Sequence, residues 1–142
     1  MRQGTPIAGL EEITKRVYID GPDLTLVAYT NTQDSLDANT VAATLTQPTV
    51  ANGYAPVVLS GTWARVGGVV TYTHPAGPNA DEFGNPAWFP TGTWSAPVTG
   101  VAIIYGTAVL HFMDNRDGAG DPVTFTAAAG KKFVVDLSTV AS

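Results

Sequence analysis

From Thr14 onward, turn signals or polar breaks such as Asn31–Asn39 recur every ten residues or so, and the residues between them favour strands. Gly21-Pro22-Asp23, Gln47-Pro48, Asn52-Gly53, Ser60-Gly61, Gly67-Gly68, Gly106, Asp117-Gly118 and Gly130-Lys131 divide it into short runs rich in Thr, Val, Ala and aromatics. Such spacing is too tight for a helix of ordinary length, and no 3.6-residue apolar period appears. The expected architecture is therefore all-β: about eight to ten short strands in a single antiparallel β-sandwich, jelly-roll or Ig-like.

Leu24–Thr30 reads as a strand with Leu24, Leu26 and Ala28 on one face. Thr40–Thr46 and Tyr54–Leu59 are two further β-prone runs, and Asn31–Asn39 between them reads as a loop or short helix. Thr62–Val66 and Val69–Thr73, joined by Gly67-Gly68, form a hairpin pattern. Val98–Met113 resumes the β pattern with a break at Gly106; Pro122–Thr126 and Phe133–Leu137 complete the set. Residues 74–97 hold five prolines and three glycines, too many for a hydrogen-bonded ladder, so a long ordered loop is expected. Its aromatics, Phe83, Trp88, Phe89 and Trp94, are expected to pack over the sandwich or to form a contact surface. Ahead of the body, residues 1–13 read as an N-terminal arm, with residues 14–142 as the domain. Ile7 and Leu10 give the arm something to bury, and it is expected to order against a neighbouring subunit.

The composition leaves little chemistry to assign. There is no cysteine, the histidines are His74 and His111, and charged residues are 13% of the chain, about half the usual share. The histidines are far apart in the pattern, with no third ligand at a metal-binding spacing. No serine stands in a nucleophile-elbow pattern. Asp81-Glu82 are sequence neighbours and so point apart, unlike a glycosidase acid/base pair. Placing Asp117-Gly118 at positions five and six of an EF-hand loop puts Met113 and Thr124 where carboxylates are required, so a solvated turn is expected. No catalytic residue, cofactor or metal is expected. The net charge of −5, with Lys and Arg scattered, gives no stripe for phosphates, so nucleic acid is not an expected partner. No apolar run approaches a membrane span, and the N-terminus has no apolar signal core. The lack of cysteine fits assembly in a reducing cytoplasm.

One resemblance adds to this. Gly53-Tyr54-Ala55-Pro56-Val57-Val58-Leu59, Trp63, Val69–Tyr72, Thr93-Trp94-Ser95-Ala96-Pro97-Val98 and Ile103-Ile104-Tyr105-Gly106 together resemble small structural proteins of tailed bacteriophage virions. The likeness spans roughly Leu24–Leu137 and leaves the arm outside. It implies a non-enzymatic virion component: a capsid decoration (cement) protein or, alternatively, a tail- or fibre-associated module recognising a carbohydrate or receptor. The implied partners are the major capsid protein or other virion subunits, and further copies of itself as a dimer or trimer. The residues expected at such an interface are Ile7, Leu10, Phe83, Trp88 and Phe89.

Overall fold

A computed structural model describes residues 23–66 and 69–137. The arm with Ile7 and Leu10, the run from Thr14 to Asp20 and the Gly67-Gly68 turn lie outside the described residues. Within them the chain is nearly all-β: β1 (Leu24–Tyr29), β2 (Val57–Leu59), β3 (Thr62–Val66), β4 (Val69–Thr73), β5 (Ala87–Trp88), β6 (Gly100–Tyr105), β7 (Ala108–Asp114) and β8 (Phe133–Val134). All pairings are antiparallel. One sheet has the order β2-β1-β6-β7, and β3-β4 and β5-β8 form separate ribbons.

The β1 strand sets the layout because both of its faces are buried. Leu24, Leu26 and Ala28 enter the main core with Val57 and Leu59 of β2, Val101 and Ile103 of β6, Trp63, Val70 and Tyr72 of the β3-β4 ribbon, and Trp88. Val27 and Tyr29 face the opposite way, where Leu36 and Leu45 cover them together with Ala102. A strand with two covered faces reads as a nearly continuous apolar run, as Leu24–Tyr29 does.

Several details differ from the sequence expectation, among them the narrowing of Phe133–Leu137 to Phe133–Val134 and the strand β5 within residues 74–97. Thr40–Thr46 is not a strand: it forms a single 3-10 turn at Ala42–Thr44, with one bridge from Val41 to Ala108. Its task is to lay Leu45 over the sheet, which an extended strand at that place would not do. Tyr54–Leu59 narrows to three β residues. Beyond Val57, the Tyr54 hydroxyl takes over the ladder by accepting the Ala28 N–H at 3.2 Å while donating to Gln47 Oε1 at 2.7 Å; burial pushes its pKa up to about 12. Pro122–Thr126 makes isolated bridges from Pro122 to Arg116 and Phe125 to Val98 instead of a strand. The β3-β4 register pairs Val66 with Val69, as a two-residue connection requires.

Tyr29 stands opposite Gly100, and the pairing depends on the missing side chain. A Cβ on Gly100 would lie 2.2 Å from the Tyr29 hydroxyl and 2.4 Å from the Met113 carbonyl oxygen. The tyrosine ring fills the space and donates to Asp114 Oδ1 at 2.6 Å. Burial first, then this hydrogen bond to a carboxylate, raises the Tyr29 pKa, so the phenol stays a donor. Asp114 Oδ2 in turn accepts the Asp34 N–H at 2.9 Å, and Arg116 bridges Asp34 and Asp114.

Gly100→Ala is accordingly expected to lower the unfolding free energy by about 3 kcal/mol, the upper end of the usual overpacking cost. Gly118→Ala, with nothing within 4 Å of its added Cβ, should stay within about 0.5 kcal/mol of the parent. Urea midpoints at constant slope measure both.

Candidate protein-interaction surface

The Pro- and Gly-rich segment between β4 and β6 is ordered by its tryptophans. The Trp88 indole N–H donates to the Ala55 carbonyl at 2.7 Å and that of Trp94 to the Asn52 carbonyl at 2.9 Å. Both rings are buried and pack on Tyr54, with centroids 5.7 and 5.1 Å away. Trp88 is thus a core residue, which corrects its expected place at an interface: a fully covered indole with its N–H satisfied has nothing left to offer a partner. Trp94 is buried in the same way, with its indole N–H likewise satisfied.

The turn Asn52-Gly53 holds this segment from below. Gly53 has φ +85°, and a Cβ there would come 2.7 Å from the Phe89 carbonyl oxygen, so only glycine allows this approach. Asn52 accepts the Thr91 N–H at 3.0 Å on its carbonyl and donates its side-chain amide to the Thr93 carbonyl at 2.8 Å. Phe89 is thereby fixed with 40% of its surface exposed, beside a groove of about 440 Å³ that Tyr54, Ala55 and Pro78 also line.

Phe83 is presented more openly still, with 78% of its surface exposed. Its loop is nonetheless closed. Ala87 N–H donates to the Asn79 carbonyl at 2.8 Å, and Asp81 N–H to the Asn85 carbonyl at 2.9 Å. The Asp81 carboxylate then accepts from within the loop: Oδ1 from the Phe83 and Asn85 N–H groups at 2.9 and 2.8 Å, Oδ2 from the Asn85 side-chain amide at 3.1 Å. Gly84, at φ +79°, makes the reversal, and its carbonyl accepts the His74 N–H at 2.7 Å. A large apolar ring held in water on a backbone tied at this many points is costly unless something covers it.

Asp81 thus clamps a loop. The signal was available as Asp81 three residues before Gly84 and four before Asn85, the spacing of an aspartate that caps its own turn.

The remaining reactive groups are dispersed. His74 Nδ1 lies 2.7 Å from the Tyr72 hydroxyl, while His111 is on β7 beside Asp37 and Thr40. Partial burial lowers the pKa of each. Asp117 Oδ1 accepts the Ala119 and Asp121 N–H groups, both at 2.9 Å, so the Asp114–Asp121 segment is a self-capped turn. Among the described residues, no group of three or more His, Asp or Glu side chains is placed to hold a metal ion, and no helix is long and apolar enough to cross a membrane. Compared with protein-family models, curated proteins and solved structures, the chain matches none of them.

Partial burial works against the Asp81 anion, but the Asn85 and Phe83 donors outweigh it and hold its pKa below the ordinary carboxylate value. A carboxyl with a depressed folded-state pKa stabilises the closed loop above its ordinary pKa and loses that contribution as pH falls through the lowered one. The Phe83 and Asn85 amides are therefore expected to lose hydrogen-exchange protection together below the normal carboxylate range. Asp81→Asn should show the same loss at neutral pH, while β1 and β6 amides stay protected in both cases.

Proposed function

We propose that this chain is a non-enzymatic structural protein of a tailed-phage virion, a capsid decoration protein that joins neighbouring shell subunits. In this reading the four-stranded sheet and the two ribbons are the two layers of one antiparallel sandwich, and residues 74–97 are its contact edge. The observation that carries the reading is Phe83, an apolar ring exposed on a loop clamped by Asp81. Pre-ordered aromatic anchors suit a docking protein because little entropy is lost when they bind. The resemblance of the Gly53–Leu59, Trp94–Val98 and Ile103–Gly106 segments to virion proteins supplies the setting.

A decoration protein has weak individual contacts repeated at symmetric positions, and multivalency among its own copies turns them into lasting attachment. Phe83 and Phe89 are the residues assigned to that contact, against the major capsid protein or another virion subunit.

Phe83→Ser combined with Phe89→Ser should leave the melting temperature close to the parent's, since neither ring belongs to the core. Retention on purified particles, read by co-sedimentation, should fall at least about tenfold, the equivalent of about 1.4 kcal/mol lost at a contact. A folded double variant that sediments with particles as the parent does would remove the assignment.

A further inference from the structure

The chain passes from β2 in the four-stranded sheet to β3 in its ribbon through Ser60-Gly61 alone. A side chain from the other ribbon strand holds this corner. Tyr72 of β4 is buried, and its hydroxyl accepts the Gly61 N–H at 2.9 Å. The approach needs glycine, since a Cβ there would lie 2.0 Å from the Thr73 carbonyl oxygen. The same hydroxyl also lies 2.7 Å from His74 Nδ1. His74 in turn gives its backbone N–H to the Gly84 carbonyl at 2.7 Å, so one residue joins the corner to the Phe83 loop.

The direction of the bond to His74 follows from which group holds the hydrogen. Burial raises the Tyr72 pKa, the Gly61 N–H draws it part of the way back, and Asp23, the charged group that acts on the phenol, raises it again. The phenol therefore keeps its hydrogen. Neutral His74 accepts it at Nδ1 and carries its own hydrogen on Nε2. A charged imidazole carries hydrogen on both nitrogens, so Nδ1 then has no lone pair to offer. Among the described residues the phenol hydrogen has no second acceptor, and a buried donor left without one costs more than an ordinary hydrogen bond contributes.

We propose that Tyr72 and His74 form a proton-operated latch: neutral His74 holds the corner between sheet and ribbon closed, and protonated His74 releases it. The surroundings favour the neutral form. Burial lowers the imidazole's pKa below its ordinary 6.5. The Tyr72 ring lies 5.7 Å from the imidazole and is itself backed by Trp63 at 4.6 Å, so the ribbon brings no anion to the site through these rings. The adjoining loop carries Asp81 and Glu82. The Asp81 carboxylate is taken up by the Phe83 and Asn85 donors. A histidine with a lowered folded-state pKa contributes stability that is complete above its ordinary pKa and is lost as pH falls through the lowered one. The latch therefore opens in weak acid. It is distinct from the Asp81 clamp, whose carboxyl titrates below 3.8.

The latch needs no partner and does not rest on the virion reading, so hydrogen exchange on the free full-length chain tests it. From about pH 7.5 to about pH 4.5, His74 gains its proton while Asp81 keeps its charge, and the Gly61 protection factor should fall at least about tenfold. Amides of β1 should keep theirs. His74→Asn offers an oxygen acceptor that takes no proton in this range, so Gly61 protection should then change by less than about twofold. Tyr72→Phe should lack the protection at both pH values, and His111→Asn should behave as the parent does. Unchanged protection in the parent, a fall shared equally by β1, or a fall that survives in His74→Asn would each overturn the proposal. Retained protection in Tyr72→Phe, or a pH response lost in His111→Asn, would overturn it too.

Discussion

Burial of β1 on both faces is the constraint from which the rest follows. A two-sided strand needs two covers, and this chain builds them from different material. The main core is closed by the β3-β4 and β5-β8 ribbons and by Trp88 and Trp94. The opposite face is closed by an irregular segment that delivers Leu36 and Leu45. Irregular backbone must still satisfy its polar groups, and asparagine, glutamine and threonine side chains do much of that here. Asn31 donates to the Thr44 carbonyl and accepts the Thr46 N–H, while Gln33 bridges the carbonyls of Asn115 and Val123. Among the described residues, no buried side-chain nitrogen or oxygen lacks a partner.

This explains why so few ionisable groups serve so much structure. The Tyr29, Asp114, Arg116 and Asp34 cluster ties the end of β1 to the end of β7 and to the loop after β1. Asp81 ties the Phe83 loop to itself. Each carboxylate is used as a local acceptor for nearby N–H or O–H groups, where its charge strengthens the hydrogen bonds. Among the described residues, the apolar side chains left exposed include Phe83 and Phe89.

Much of the fold was legible because alternation and turn chemistry are local. The buried face of β1, the β3-β4 hairpin and the break at Gly106 can all be read from a few adjacent residues. Thr40–Thr46 misled because β-branched residues favour strands wherever they fall, and only the position of Leu45 over the sheet demanded a turn. Trp88 and Trp94 were ambiguous for a related reason: a tryptophan in a proline-rich loop can face either way. The acceptors that settle it, the carbonyls of Ala55 and Asn52, are more than thirty residues distant. Asp114 was harder still, since nothing local connects it to Tyr29.

The virion reading rests on one property, an aromatic ring displayed on a rigid loop, and imaging of an intact particle tests it most directly. A reconstruction of particles carrying this chain should place it at symmetry-related positions on the shell. The Phe83 ring should then be buried against a neighbouring subunit with the Asp81 clamp closed. Particles that lack the chain, or that carry it with Phe83 facing solvent, would contradict the account.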